Sequence, residues 1–196
     1  NIGPEDHLMN SEGMLFRPNY SFAGKKAFRI KSNATIKERG VLTDFYNKKF
    51  DISCYISNDK PRYYINEISS NFSFSKCSVF QDNSETEKYF RRYKIDYVKV
   101  ENSFQAAWEY LKNLYPNLDS IQIDGIYTDD NRFFINELNY RKSMGQVALC
   151  LLEYFPNIPQ LNFNLVLRNR FNRPKGAVIL SPENYSSDKF VSFINY

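Results

Sequence analysis

The chain of 196 residues is long enough for one large domain or two small lobes, and its 42% hydrophobic content, with 17% aromatics, is ample for a packed core. Its 26 Lys and Arg against 22 Asp and Glu give a net charge of only +4, and the basic residues are scattered, which argues against a general nucleic-acid-binding protein. No apolar run of about eighteen residues and no secretory signal occur, which predicts a soluble, cytoplasmic protein that does not enter a membrane. Three cysteines without metal-ligand spacing suggest neither a disulfide framework nor a zinc site.

The first third of the chain is predicted to form strands and turns. Short apolar runs at 14–16 and 27–30 flank a basic, turn-prone loop of small residues at 19–26, which indicates a hairpin. Three further strands are predicted, the last two joined by a hairpin turn at 58–61: residues 41–46, 50–56 and 62–68. Residues 69–97 have no clear period and are left without an assignment.

A helix is predicted from Ser103, which has the chemistry of an N-cap, to a stop at Pro116. Its apolar residues recur at helical spacing: Phe104, Ala107, Trp108, Leu111 and Leu114. A second helix at 147–154 opens near Ser143 and stops at Pro156, and residues 177–180 are predicted to be a strand.

A hairpin with a polar tip is predicted between these two helices. Residues 121–127 and 132–139 both alternate with a period of two, and the polar residues 128–131 form the turn. Glu137 and Asn139 are two residues apart, so their side chains project from the same face of the strand. A turn at 128–131 brings Asp124 roughly beside Glu137 on the neighbouring strand.

Two carboxylates and an amide oxygen at one place form a set that a hard divalent cation such as Mg²⁺ prefers. Arg141 and Lys142 follow directly and supply positive charge suited to phosphate. The competing interpretation is a surface hairpin whose polar side chains face water. For an isolated Glu-x-Asn triplet, this interpretation would be the better one.

The longer pattern, Ile123 to Ile126 followed by Phe133 to Arg141, resembles the closing motif of the ATP-grasp superfamily. The resemblance implies that Asp124, Glu137 and Asn139 ligate the Mg²⁺ ions that bridge ATP. It also implies that Arg141 contacts phosphate.

The order of earlier segments is similar to that family from about residue 13 to 145. Leu15 to Pro18 resembles the strand whose basic residue, here Arg17, contacts nucleotide phosphate. The segment 21–27 stands at the place of the family's phosphate loop. The resemblance implies further nucleotide contacts for the loop residues Ser21, Gly24 and Lys25. It also implies that Asp44 and Phe45 belong to the hinge that packs on adenine, and that Asp51 holds the ribose.

The chain departs from the family pattern at several positions. The loop at 19–26 contains a single glycine where several are usual, Arg17 replaces a lysine, and Gln122 stands where some members have an arginine. A preceding family domain is also missing from this sequence, so we expect an upstream domain or a partner chain.

These observations predict an α+β, two-lobe ATP-grasp-like fold with mostly antiparallel sheets and flanking helices. Residues 1–58 are expected to form the smaller lobe with the phosphate loop and hinge, and residues 59–196 the larger lobe with the metal site and a C-terminal extension.

The implied activity is an ATP- and Mg²⁺-dependent carboxylate–amine ligase that works through an acyl phosphate, or the ATP-binding portion of one. Arg17 and Arg141 are its catalytic candidates, and a carboxylate substrate and an amine-type nucleophile are its partners. The alternative is a catalytically weak nucleotide-binding or pseudoenzyme module that acts through a partner. A third hypothesis is a nucleic-acid- or peptide-binding domain that works without ATP.

Overall fold

The structure, a computed structural model, describes residues 13–18, 28–30, 39–68, 73–140, 143–181 and 190–196. The chain divides into two compact units, Asn1–Asn47 and Lys48–Tyr196. This division comes before the boundary predicted at residue 58, because the strand Lys48–Ser57 pairs along its length with strands of the second unit.

The first unit contains a three-stranded antiparallel sheet. Its strands are β1 (Leu15–Pro18), β2 (Phe28–Arg29) and β3 (Gly40–Thr43), in the order β2-β1-β3. The predicted hairpin of β1 and β2 is confirmed, whereas the loop predicted at 19–26 lies outside the described residues. Gly40 permits the close approach of β3, since a Cβ there would lie 2.5 Å from the buried ring of Phe16.

The second unit is built on one eight-stranded antiparallel sheet, in the order β10-β11-β9-β6-β5-β4-β7-β8. The turn between β4 and β5 was predicted at 58–61, and Asn58 and Asp59 both have positive φ there, at 49° and 57°. The strands are β4 (Lys48–Ser57), β5 (Lys60–Ile68), β6 (Phe74–Phe80), β7 (Ser120–Thr128), β8 (Phe133–Asn139), β9 (Gln160–Leu167), β10 (Val178–Ile179) and β11 (Phe190–Asn195).

Two helices, α1 (Asn83–Arg92) and α2 (Tyr97–Leu114), cover one face of this sheet. The carboxylates of Asp82 and Asp96 cap them by accepting hydrogen bonds from backbone N–H groups of the first turn. The core between helices and sheet includes these fully buried side chains: Ile52, Cys54, Phe90, Phe104, Ile123 and Tyr127.

The third helix, α3 (Met144–Leu152), packs on the opposite face of the sheet. Ser143 caps it, as the sequence predicted, by accepting a hydrogen bond from the backbone N–H of Gln146 at 3.3 Å. Gly145 lies against the ring of Tyr64, and a Cβ at position 145 would be only 2.1 Å from that ring. The first turn of α3 therefore sits directly on β5.

The α+β class, with mostly antiparallel sheets and flanking helices, is confirmed. The predicted start of α2 is wrong, because the helix begins after Asp96 and the hydroxyl of Ser103 donates to the carbonyl of Lys99 within it. Strand β6 and helix α1 occupy the segment without an assignment, and β9 and β11 were not predicted. Among the helices that the structure describes, none is long and apolar enough to cross a membrane.

Candidate metal centre

The hairpin of β7 and β8 places the candidate ligands in two neighbouring cross-strand pairs. Asp124 lies opposite Glu137, and Gln122 lies opposite Asn139. The register shifts between Asp124 and Gly125, where a β-bulge leaves Asn136 as the extra residue. The side chains of a directly opposed pair share a face of the sheet, so all four lie on the face opposite α1 and α2.

The bulge separates the apolar and polar halves of β8. Phe133 and Ile135 pack against the core beneath α1 and α2. In a regular strand, Glu137 would continue on the same face as Ile135, because side chains two apart point the same way. The extra residue Asn136 reverses this alternation, so Glu137 turns to the side of Asp124.

Asp124 is the most constrained side chain of the site. Its Oδ1 accepts hydrogen bonds from Ser53 Oγ at 2.6 Å and from Gln122 Nε2 at 2.7 Å. Its Oδ2 accepts from Asn139 Nδ2 at 2.6 Å. Ser53 is buried and itself accepts from Asn66 Nδ2 at 2.7 Å. Side chains of four strands thus fix this one carboxylate.

The electrostatic environment of Asp124 disfavours an isolated negative charge. Burial raises the pKa of Asp124, and the nearby carboxylate of Asp51 raises it further, whereas the donors Ser53, Gln122 and Asn139 lower it. These three donors are neutral, so they orient the carboxylate without cancelling its charge. A cation at this position would do so.

Oxygen atoms remain available for such a cation. A carboxylate accepts about four hydrogen bonds, so Asp124 Oδ2, which accepts one of those above, can still bind a ligand. Asn139 uses its nitrogen towards Asp124, so its Oδ1 serves as an acceptor, and Glu137 is exposed. No three His, Cys, Asp or Glu side chains come together within the described residues. Two carboxylates and an amide oxygen fit Mg²⁺.

The predicted ribose-binding residue, Asp51, lies in the same unit. It is two residues from Ser53 on β4, so it shares the face of Asp124, and its Oδ2 is 2.6 Å from Lys48 Nζ.

The other predicted nucleotide contacts lie in the first unit or outside the described residues. Arg17, Asp44 and Phe45 belong to the first unit, where Arg17 lies on β1 and Asp44 accepts a hydrogen bond from the hydroxyl of Tyr46 at 3.0 Å. Phe45 is exposed, and the guanidinium of Arg29 lies 4.7 Å from its ring centroid. Four predicted residues lie outside the described part of the chain: Ser21, Gly24, Lys25 and Arg141.

Sequence reasoning missed the hydrogen-bonding role of Ser53, Asn66 and Gln122. Alternation along β4 and β7 does place Ser53 and Gln122 on one face with Asp51 and Asp124, which is a weak signal for a polar cluster. The pairing of β4 with β7, which brings them into contact, has no signature in either segment alone.

Comparison with known proteins gives little further guidance. No protein-family model matches the chain, and no curated protein matches it. Among solved structures, the chain is similar to N5-carboxyaminoimidazole synthetase from Staphylococcus aureus, with a TM-score of 0.49 and 11% sequence identity. The similarity covers 93% of this chain and 56% of that chain, so this chain spans little more than half the length of that enzyme.

Proposed function

We propose that the chain binds ATP together with Mg²⁺ at the β7–β8 hairpin and acts as a carboxylate–amine ligase of the ATP-grasp type, or as the ATP-binding portion of one. The observation that carries this proposal is the constrained carboxylate of Asp124, which faces Glu137 and is hydrogen-bonded to Asn139. The resemblance of the hairpin sequence to the closing motif of that superfamily supports the same assignment.

Asp124, Glu137 and Asn139 would hold the cation. When bound, Mg²⁺ supplies neutralisation of charge on the transferring phosphoryl group. Ser53 and Asn66 keep Asp124 in one orientation, so little reorganisation of the site is needed when charge develops.

The proposed reaction has two steps. A carboxylate oxygen of the substrate attacks the γ-phosphorus of ATP, which forms an acyl phosphate and releases ADP. The nitrogen of an amine then attacks the acyl carbon, and an amide, inorganic phosphate and a proton result. Arg17, Lys25 and Arg141 are assigned to phosphate oxygens, with Arg17 and Arg141 as the catalytic candidates, because their charge suits the developing negative charge.

The remaining nucleotide contacts follow the sequence assignment. Ser21 and Gly24 belong to the phosphate loop, and Asp44 and Phe45 to the hinge that packs on adenine. Asp51 would accept hydrogen bonds from the ribose hydroxyls, and its neighbour Lys48 balances its charge.

The second candidate function is a nucleotide-binding module with little turnover that acts through a partner chain or an upstream domain. The single glycine in the loop at 19–26 favours it, because backbone amides cradle phosphate best where glycine permits close approach. Gln122 also favours the module, because it is neutral where some family members have an arginine.

Calorimetric titration tests the nucleotide and metal part of the proposal. We expect ATP to bind in the presence of Mg²⁺ and to bind at least about tenfold more weakly to Glu137→Ala, a loss of about 1.4 kcal/mol. Glu67→Ala is the matched control, since Glu67 is an exposed strand glutamate that pairs with Lys76 instead. Equal Mg²⁺-ATP affinity in Glu137→Ala and wild type would reject the site.

Phosphate release separates the ligase from the module. The chain is incubated with Mg²⁺-ATP, a panel of amino acids and small dicarboxylates, and hydroxylamine, which traps an acyl phosphate as a hydroxamate. A ligase releases phosphate only when a carboxylate is present and accumulates the matching hydroxamate. Tight Mg²⁺-ATP binding without carboxylate-dependent phosphate release favours the module.

A further inference from the structure

Gln122 on β7 is a buried polar residue whose amide is only half satisfied. Its side chain is 7% exposed, and its Nε2 donates to Asp124 Oδ1 at 2.7 Å. Its Oε1 is buried and has no hydrogen-bond partner among the residues that the structure describes. A buried acceptor without a partner is unfavourable, so this oxygen requires a hydrogen-bond donor or a cation in the functional state.

The orientation of this amide follows from its neighbour. An amide oxygen turned towards Asp124 would place two acceptors against each other, so the nitrogen must face the carboxylate. Asn139, directly opposite Gln122, is held the same way by the other oxygen of Asp124. The two amides therefore brace one carboxylate with their nitrogens and keep their oxygens for another partner.

The acceptor groups beside the amide of Gln122 favour a cation. The carboxylate oxygen that accepts from Gln122 is 2.7 Å from the amide nitrogen, and Glu137 lies opposite Asp124. Both carboxylates and both amide oxygens are acceptors that carry negative or partial negative charge. One divalent cation within reach of all four would satisfy them and neutralise the two carboxylates, whereas a single neutral donor would satisfy one.

We propose that Gln122 Oε1 is a fourth protein ligand of the cation, beside oxygens of Asp124, Glu137 and Asn139. The inference rests on the proposed function, and it adds a ligand at a position that the sequence pattern did not assign to the metal. Four protein oxygens leave about two of the six positions that Mg²⁺ prefers for phosphate oxygens or water.

The test uses Mn²⁺ as the probe, with the full chain and β,γ-imido-ATP. Water-proton relaxation enhancement gives the Mn²⁺ affinity of the ternary complex and the number of inner-sphere waters. We expect Gln122→Leu to bind Mn²⁺ at least about tenfold more weakly and, at saturation, to gain an inner-sphere water at the lost ligand position. Gln122→Glu loses the Nε2 donor but keeps an oxygen ligand, which now carries charge, so it is expected to retain Mn²⁺ affinity within about threefold.

Two controls separate ligation from bracing of Asp124. Ser53→Ala removes a donor to the same carboxylate and offers no oxygen in exchange, so it should leave the inner-sphere water count unchanged. If Gln122 acted only through Nε2, both the Leu and the Glu variants would weaken Mn²⁺ binding and neither would gain a water. That result would overturn the inference.

Glu137→Ala distinguishes failure of the inference from failure of the proposed function. Loss of Mn²⁺ in Glu137→Ala with wild-type behaviour in Gln122→Leu overturns only the fourth ligand. Absence of Mn²⁺ binding in the wild-type ternary complex rejects both. Thermal unfolding of each variant shows whether a lost signal comes from a lost fold, and Gln122→Glu provides the isosteric comparison if the Leu variant unfolds.

Discussion

The contact of Gly145 with Tyr64 makes the packing of α3 on the sheet testable by one methyl group. A Cβ at position 145 would lie 2.1 Å from Tyr64 Cζ and 2.5 Å from its hydroxyl oxygen, whereas favourable contacts need about 3.5–4.0 Å. Tyr64 is 1% exposed, so its ring has no solvent into which to turn. Such overpacking costs about 1–3 kcal/mol, and the better helix propensity of alanine returns up to about 1 kcal/mol.

We therefore expect Gly145→Ala to lower the free energy of unfolding by about 1–2 kcal/mol. For a unit of this size the melting temperature should fall by about 2–8 °C. Urea and thermal unfolding followed by far-ultraviolet circular dichroism measure both quantities. Because Tyr64 is paired with Ser53, which holds Asp124, the variant should also weaken Mg²⁺-ATP binding if the clash is relieved by moving β5.

A double-mutant cycle identifies the cause of the destabilisation. Tyr64→Leu removes the ring that the new methyl group would strike, so the double variant should be more stable than the sum of the single effects by about 1 kcal/mol or more. Two outcomes would contradict a clash between position 145 and Tyr64: a Gly145→Ala protein as stable as the wild type, or strictly additive effects in the cycle.

Three further predictions concern the core, the thiols and the hairpin tip. Phe104→Ala should lower the free energy of unfolding by about 3–5 kcal/mol in urea titrations, because Phe104 is fully buried on the face of α2 that packs on the sheet. A loss below about 1 kcal/mol would contradict this burial. Cys150 is exposed, whereas Cys54 and Cys77 are buried, and burial raises the pKa of both buried thiols. Ellman's reagent should therefore modify one cysteine in the native chain and all three in denaturant. Fast reaction of a second native thiol would contradict the burial of Cys54 and Cys77. Hydrogen bonds from Arg132 and Thr128 lower the pKa of Asp130 to about 2, so its contribution to stability is present above the ordinary value of 3.8 and is lost as the pH falls through about 2. Nuclear magnetic resonance should show this titration, Arg132→Gln should shift it upwards, and an unchanged titration in that variant would exclude the ion pair as its cause.

The β7–β8 hairpin shows how far local sequence specifies a site. Alternation on both sides of a polar turn was enough to predict the two strands and to place Asp124 beside Glu137, as their register confirms. The bulge at Asn136 could not be predicted from the sequence, because alternation does not show where an extra residue interrupts the pairing. Its effect is large, since it decides on which face Glu137 lies relative to Ile135.

The supporting hydrogen bonds could not be predicted for a different reason. Ser53 and Asp124 are 71 positions apart, and their contact depends on the pairing of β4 with β7. Helix α1 escaped detection because only Thr86 and Phe90 of its residues are buried, too few to show a helical period. The start of α2 was misplaced because Val100 extends the apolar stripe before Ser103, so the true cap is Asp96. The roles of the predicted metal and nucleotide ligands stay predictions.

We propose that a divalent cation binds at Asp124, Glu137 and Asn139 together with ATP. The most direct measurement is anomalous diffraction from crystals of the chain grown with Mn²⁺ and β,γ-imido-ATP. We expect one strong anomalous peak about 2.0–2.3 Å from oxygens of these three side chains, next to the phosphates of the nucleotide. A nucleotide bound with its cation elsewhere on the chain, or with no cation at this hairpin, would contradict it.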